Sequence, residues 1–335
     1  MNDLAGKSIL FICPRFFGYE REIENELIQL GAVVDFYDER PFSSSIYKIF
    51  NRINFKLFIR RKICKYYDSI LAKADTEKYD LLLVVNPETI PLDFIQRIKK
   101  SCPSIHTVLY MWDSIRNKKN AANLIDAFDK VATFDKTDTI NNSNVNFLPL
   151  FFTRKYDIRN YSASDSIITH YNAAFIGTAH SDRYAFVNKV MAQFSSVSLS
   201  SNFLFFYCPS KLLFFMKKCL SSEMTGLSFN QISFNSMSSA QITEILMHSA
   251  FVIDVEHPNQ NGLTMRTIEM LGLQKKLITT NKNVVEYDFY NSNNICVVDR
   301  KNPKIDENFL LSEFESIDPI ILNKYTLNSW LKNLL

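Results

Sequence analysis

The stretch from Phe251 to Asn281 reads FVIDVEHPNQNGLTMRTIEMLGLQKKLITTN and predicts a strand, a loop, a helix and a second strand in succession. Residues 251–255 are an apolar run broken only by an aspartate, which is typical of a buried strand. Pro258 to Gly262 form a turn, and apolar residues at helical spacing follow it. Residues 276–280 then form the next strand. Strands joined by a crossover helix pair in parallel, so this stretch predicts part of a parallel sheet.

The same alternation of strand and helix patterns runs along the whole chain. Strands are expected at residues 8–13, 32–37, 80–85, 106–111, 131–134, 145–148, 172–176, 203–208, 251–255, 276–280 and 295–298. Amphipathic helices are expected at residues 20–30, 93–100, 182–193, 239–248 and 264–273. This pattern predicts an α/β protein with two Rossmann-like parallel-sheet domains facing a cleft, where the carboxyl ends of the strands bind ligands.

The chain length of 335 residues, 47% of them hydrophobic, suits two domains that each bury a core. Residues 156–169 are polar, with little periodicity, and we interpret them as the linker. The expected domains are therefore residues 1–155 and residues 170–316. The last segment, residues 317–335, predicts a helix whose apolar face packs back on the first domain.

Composition and charge exclude several classes of protein. A net charge of +3 argues against a nucleic-acid binder. The six cysteines include no CxxC pair and no metal spacing with histidine, which favours reduced structural thiols in a cytoplasm. The N-terminal apolar run is too short for a signal peptide, and no run reaches the ~20 residues of a membrane span. The expectation is a cytoplasmic protein, at most peripheral to a membrane.

Polar residues crowd the junction between the strand at 251–255 and the following helix. The strand and its exit carry Asp254, Glu256 and His257, and the helix opens near Gly262 and Thr264. Free N–H groups at a helix start bind phosphate. On the helix, Arg266 can add charge to a diphosphate, and Glu269 one turn on can accept two ribose hydroxyls. The alternative is that Arg266 and Glu269 form an ordinary surface pair.

A second candidate loop lies in AAFIGTAHSDRYAFV, residues 173–187. A strand ends there at Gly177 and Thr178, and His180 and Arg183 flank the start of the next helix, which Ser181 or Asp182 can cap. The alternative is a plain strand-to-helix turn.

These two blocks resemble the donor-binding domain of GT-B glycosyltransferases. The resemblance is to bacterial lipopolysaccharide, O-antigen and capsule transferases, where an acidic loop precedes G-L-x-x-R-x-x-E-x-L; the matching residues here are Gly262, Leu263, Arg266, Glu269 and Leu271. The resemblance implies that Glu269 holds the donor ribose. It also implies that the diphosphate faces Gly262, Leu263 and Thr264. It also implies a nucleotide-sugar donor, a glycan or lipid-linked acceptor, and neither a cofactor nor a metal. Asn261 stands where many retaining members carry a first Glu, so retention or inversion stays open.

By the same resemblance, the loop after the first strand faces the acceptor and the donor phosphate. In FICPRFFGYEREIENEL, residues 11–27, the candidates are Arg15, Gly18, Tyr19 and Glu20. The pattern is not GxGxxG, so a dinucleotide fingerprint is absent. The alternative is a capped surface helix rich in Glu.

The strand at 106–111 delivers Trp112 and Asp113 to the expected cleft. A carboxylate there can take a proton from an acceptor hydroxyl, as an inverting transfer requires, and Trp112 can stack on a sugar ring. We predict Asp113 as the base, with Glu88 as its rival. The alternative for Asp113 is a cap on the following turn.

Residues 45–67 carry seven lysines and arginines and no acid, with apolar residues at helical spacing. Such segments suit anionic membrane surfaces, and a core-packed helix with a solvated basic face is the alternative.

The leading hypothesis is a glycosyltransferase of bacterial surface glycans. The alternatives are a nucleotide-sugar epimerase of the same shape, a two-lobed sugar-binding protein, and a non-catalytic partner in a biosynthetic complex.

Overall fold

The structure is a computed structural model that describes residues 4–41, 56–161, 168–180, 182–196, 201–220, 226–258 and 260–335. The chain divides into two compact units. The first comprises Met1–Pro149 and Leu327–Leu335, and the second comprises Leu150–Thr326.

The first unit contains a six-stranded parallel sheet with the order β2-β1-β3-β4-β5-β6. Its strands are β1 Ser8–Cys13, β2 Val33–Asp38, β3 Leu81–Val85, β4 His106–Met111, β5 Lys130–Thr133 and β6 Val145–Phe147. Its helices are α1 Tyr19–Gln29, α2 Lys56–Glu77, α3 Leu92–Ser101, α4 Lys119–Ala122 and α5 Lys136–Asn141. The central strands β1, β3 and β4 place buried side chains on both faces of the sheet, so helices can cover it from both sides.

The last helix of the chain packs within the first unit. We number this helix, Leu327–Leu334, α12. Its Trp330 is 1% exposed and meets the ring of Tyr110 on β4 edge-on, with 4.8 Å between ring centroids. Asn328 donates a hydrogen bond of 2.8 Å to Glu26 on α1. The buried aromatic pair therefore fixes the C-terminus on the first sheet.

The second unit contains a parallel sheet with the order β12-β11-β10-β7-β8-β9. Its strands are β7 Tyr171–Thr178, β8 Phe203–Tyr207, β9 Ile232–Ser233, β10 Ser249–Asp254, β11 Lys276–Thr279 and β12 Ile295–Val297. Its helices are α6 Arg183–Met191, α7 Lys211–Leu220, α8 Ser239–Met247, α9 Met265–Leu273, α10 Glu307–Leu311 and α11 Pro319–Lys324. The chain runs outward from β7 to β9 and then returns to β10 on the other side of β7.

The predicted fold class is confirmed, because both sheets are parallel and carry helices between their strands. The sequence reading missed the two-residue β9 and the helices α4, α5, α7 and α10. It also merged α11 and α12 into one helix. The break falls at Tyr325 and Thr326, where the Tyr325 carbonyl accepts a 2.8 Å hydrogen bond from the Phe152 backbone and Thr326 forms a parallel bridge with Phe152. A tertiary contact of this kind has no local sequence signal.

Gly272 on α9 lets the segment around Tyr156 approach the helix backbone. A Cβ at this position would lie 2.3 Å from the Tyr156 carbonyl oxygen and 2.7 Å from the Phe152 ring. Part of the predicted linker is therefore packed: Tyr156 is 3% exposed and belongs to the second unit, whereas residues 162–167 lie outside the described residues.

In the part of the chain that the structure describes, no helix combines the length and the apolar character needed to cross a bilayer. Of the basic segment at 45–67, side chains from position 60 onward are described. There Arg60, Arg61 and Lys65 are exposed, whereas Ile63 and Tyr67 are buried in the core. This part of α2 is a core-packed helix with a solvated basic face.

Candidate functional site

The loops after β7 and β10 lie at the point where the strand order of the second sheet reverses. Successive connections leave β7 toward β8 and leave β10 toward β11, on opposite sides. In open parallel sheets this switch point forms the crevice that binds ligands at the carboxyl ends of the strands. The rings of His180, after β7, and His257, after β10, lie 5.5 Å apart between centroids. The two loops singled out from the sequence therefore meet within one unit.

Asp254 anchors the start of α9. Its Oδ2 accepts hydrogen bonds from the hydroxyls of Thr264 (2.5 Å) and Thr267 (2.9 Å). Thr264 is the N-cap, because its hydroxyl also accepts the Thr267 backbone N–H at 3.2 Å. The helix thus begins at Met265 and not at Gly262. The structure places Asp254 and Thr264 in internal hydrogen bonds, so their contribution is to hold the helix start in position.

Gly262 and Leu263 are buried in the loop that enters α9. The Gly262 carbonyl accepts hydrogen bonds of 3.1 Å from both the Asn281 and the Gln260 side-chain amides. Asn283 donates to the Asn261 carbonyl at 2.8 Å. Because these side-chain amides bind the two carbonyls, they fix the backbone conformation of the loop that leads to the positive N-terminal end of α9.

Arg266 and Glu269 form a buried ion pair and not the surface pair that was the alternative. Their side chains lie 2.7 Å apart and are 16% and 6% exposed. The Tyr156 phenol lies against Glu269. Burial raises the pKa of Tyr156, and the neighbouring Glu269 raises it further. Glu269 is therefore held by its neighbours, and any hydroxyl that binds it must share the carboxylate with Arg266.

Arg183 opens α6 beside the β7 loop. Its Nη1 donates to the Thr178 carbonyl at 3.1 Å. Its Nε is buried, and neither a hydrogen-bond partner for this atom nor an ion-pair partner for the side chain occurs in the described ranges. Burial lowers the pKa of Arg183, and Asp254 opposes this effect. An incompletely satisfied guanidinium at the switch point suits an anionic ligand.

Gly177 lets the Phe175 ring and the Arg183 guanidinium pack against the backbone of β7. An added Cβ would lie 2.8 Å from the Phe175 ring and 3.5 Å from Arg183 Nη1. Glycine is therefore needed here for close packing, and the loop geometry depends on it.

Arg300 also lies at the carboxyl ends of the second sheet's strands, and the sequence reading missed it. It lies after β12 and pairs with Asp182 at 2.7 Å and with Glu256 at 3.3 Å. Thr280 also donates a hydrogen bond to Glu256, whose pKa burial raises. Asp182 makes no side-chain cap on α6, because Arg300 engages it, and Ser181 lies outside the described residues. No motif spacing links Arg300 to these acids, so only the sheet order reveals it.

In the first unit, the two rival bases share one lysine. Lys118 forms an ion pair with Glu88 after β3 and lies 3.6 Å from Asp113 after β4. Asp113 also accepts a 3.2 Å hydrogen bond from Asn117, in keeping with its alternative role in the turn. The Asp113 side chain is 38% exposed and that of Glu88 is 27% exposed, so Asp113 is the more accessible carboxylate. The sequence reading did not identify Lys118.

Glu39 is a buried residue that the sequence reading also missed. It is 0% exposed, and its Oε1 accepts the consecutive backbone N–H groups of Glu88 (2.7 Å), Thr89 and Ile90 (3.2 Å). Its Oε2 is buried, with no hydrogen-bond partner in the described part of the chain. Burial raises the pKa of Glu39 to about 7. This carboxylate shapes the loop that carries Glu88.

The remaining first-unit candidates lie around the loop after β1. The Trp112 ring lies 5.8 Å from that of Phe16, and the exposed Arg15 lies 3.5 Å from Asp38. Gly18 has a φ of +84° at the N-cap of α1, a conformation that glycine adopts at little cost.

Tyr19 and Glu20 lie inside this turn. Each is 5% exposed, and Glu20 accepts the Phe16 backbone N–H at 3.1 Å. The structure therefore places Glu20 as a support of the turn. No cluster able to hold a metal ion occurs among the described residues.

Comparisons with known proteins identify the fold and no closer relationship. No family model matches the chain, and no curated protein matches it. The apo structure of OtsA aligns with a TM-score of 0.61 at 9% identity, over 97% of this chain and 98% of that one.

Two further structures cover nearly the whole chain. Anabaena HepE in complex with UDP and glucose aligns with a TM-score of 0.54 at 12% identity, over 98% of this chain and 95% of that one. The UDP-GlcNAc 2-epimerase of Methanocaldococcus jannaschii gives 0.54 at 10% identity, over 98% and 99%. At these identities the likeness shows the fold alone, which is a two-unit α/β fold.

Proposed function

We propose that this protein is a glycosyltransferase that moves a sugar from a nucleotide-sugar donor to a glycan or lipid-linked acceptor. The observation that carries the proposal is Arg183. It lies at the switch point of the second sheet, its Nε is buried without a hydrogen-bond partner in the described residues, and the helix start at Thr264 belongs to the neighbouring loop. A diphosphate supplies the anion that this arrangement lacks.

In this proposal, the loop at Gly262 and Leu263 and the guanidinium of Arg183 bind the diphosphate. Glu269 accepts the ribose hydroxyls while it stays paired with Arg266, and His180 and His257 border the sugar. Charge on the departing nucleotide is stabilised by Arg183 and by the N–H groups at the start of α9, with no metal required.

The acceptor site in this proposal belongs to the first unit. Asp113 takes the proton from the acceptor hydroxyl, because it is the more exposed of the two carboxylates near Lys118. Trp112 and Phe16 offer aromatic faces on which a sugar ring can stack. The resemblance to lipopolysaccharide, O-antigen and capsule transferases supports a bacterial surface glycan as the acceptor, reached from the cytoplasmic side through the basic residues at 45–67.

A thermal-shift screen against UDP, GDP, dTDP, CMP and their sugars tests the donor assignment. A ligand of the native state raises the melting temperature by mass action, and we expect one nucleotide class to do so. The hit is then incubated with the protein, with and without glycan acceptors. A transferase releases free nucleotide in proportion to acceptor. Isomerisation of the sugar without acceptor would establish an epimerase instead, and no hit in the screen would refute both enzymes.

A further inference from the structure

Helix α7, Lys211–Leu220, presents apolar side chains to solvent. Leu212 is 68% exposed, Phe215 65% and Met216 47%, and Cys219 is exposed on the same side. At about 100° per residue, these four positions lie within an arc of about 100° on one face. A stripe of this kind on the solvent side of a folded unit marks a binding surface.

The opposite face of α7 anchors the helix to the second unit. Phe214 is 4% exposed and packs against the rings of Phe229 and Phe234, with centroids 6.0 and 6.1 Å away. Leu213 also packs against this core, and Lys218 donates to the Leu227 carbonyl at 2.9 Å, so the helix is fixed on this side and its exposed stripe points away from it. Phe229 is itself 55% exposed and extends the apolar surface.

The charge on α7 identifies the partner. The sequence KLLFFMKKCL contains three lysines and no acid. By helical geometry, Lys211 and Lys218 border one side of the apolar stripe, whereas Lys217 lies nearer the Phe214 anchor. The Lys211 ammonium lies 5.7 Å from the ring centroid of the exposed Phe229. Apolar side chains bordered by lysines suit the interface of an anionic bilayer, where the rings enter the acyl boundary and the ammonium groups reach the headgroups. A second copy of the same helix would set lysines against lysines.

We propose that α7 binds an anionic phospholipid surface through Leu212, Phe215 and Met216. This inference goes beyond the proposed function, since sugar transfer could occur without it. It also differs from the expectation for residues 45–67, because the described part of that segment buries its apolar residues in the core, whereas α7 exposes them.

Sedimentation of the full chain with vesicles tests this surface. The vesicles contain phosphatidylcholine alone or phosphatidylcholine with phosphatidylglycerol. We expect binding to the phosphatidylglycerol vesicles, weakened by salt. The triple variant Leu212→Gln, Phe215→Gln, Met216→Gln should lower the bound-to-free ratio by about tenfold or more, because each exposed side chain loses its apolar insertion.

A matched control is the double variant Leu311→Gln, Ile320→Gln, which removes apolar side chains that are 85% and 71% exposed elsewhere in the same unit. It should bind like the wild type. As a second readout, a tryptophan introduced by Phe215→Trp should be quenched by brominated lipids, and one introduced by Leu311→Trp should not.

Three results would each overturn the proposal. The wild type could fail to sediment with phosphatidylglycerol vesicles. The triple variant could keep its binding while Arg60→Gln, Arg61→Gln, Lys62→Gln loses it. Finally, the wild type could form a dimer that the triple variant abolishes, which would assign the stripe to a second copy of the chain.

Discussion

Replacing Gly272 by alanine tests how α9 is held in the second unit. In a solvent-exposed helix the change would stabilise the protein by about 1 kcal/mol, because glycine is the poorer helix former. Here the new Cβ would lie 2.3 Å from the Tyr156 carbonyl oxygen and 2.7 Å from the Phe152 ring. Both residues are buried, at 3% and 1% exposure, so neither can move away freely.

Overpacking of this kind costs about 1–3 kcal/mol and occasionally more, and a backbone oxygen yields less than a side chain. The clash should therefore exceed the helix gain, and Gly272→Ala should lower the free energy of unfolding by roughly 2 kcal/mol. Urea unfolding followed by circular dichroism measures this. Because Tyr156 lies against Glu269, the variant should also lose nucleotide affinity.

Gln274, two residues further on, provides a matched change of opposite sign. It ends α9 with a φ of +51°, a left-handed conformation that favours glycine. Gln274→Gly should raise the free energy of unfolding by about 1 kcal/mol, and Gln274→Ala should be close to neutral. If Gly272→Ala is as stable as the wild type, the close approach of Tyr156 to α9 is refuted.

The remaining predictions concern the first unit. The pKa of Glu39 is raised from 4.5 to about 7, so its contribution to stability is present below about pH 4.5 and is lost as pH rises through about 7. Glu39→Gln places a neutral side chain there and removes this dependence. Between about pH 5 and about pH 8, the free energy of unfolding of the variant should rise by roughly 3 kcal/mol relative to that of the wild type, as measured by urea unfolding. Parallel pH profiles of the two proteins would contradict this. Asp113→Asn should slow transfer by about a hundredfold or more without changing donor binding, whereas Glu88→Gln, whose parent carboxylate is paired with Lys118, should slow it less. Steady-state rates and donor titrations decide between them, and the reverse order would make Glu88 the base.

The sequence could predict the sheets because parallel strands are buried on both faces and appear as apolar runs. All eleven predicted strands occur, with ends shifted by two residues at most. The two-residue β9 is too short to produce a pattern. Helix α7 escaped prediction because its solvent face is apolar, so the contrast between a buried and a polar face is absent.

The candidate site divides in the same way. The sequence placed polar residues after β7 and β10, and adjacency of those strands in the sheet brings His180 and His257 together. It could not predict that Asp254 is held by threonines of α9, because an acid after a strand looks the same whether it faces a ligand or a helix start. Arg300 and Glu39 come from distant loops, and only the folded chain brings them to these edges.

The central claim is that the loops after β7 and β10 bind the diphosphate of a nucleotide sugar. Calorimetric titration of the nucleotide identified by the screen into wild type, Arg183→Gln and Glu269→Ala tests it most directly, with Lys304→Gln as an exposed-cation control in the same unit. A charge-assisted hydrogen bond contributes about 1.5–3 kcal/mol, so each site variant should weaken binding by about ten- to a hundredfold while the control stays unchanged. The nucleoside without phosphates should bind far more weakly than the diphosphate. Wild-type affinity in Arg183→Gln and Glu269→Ala would contradict the account.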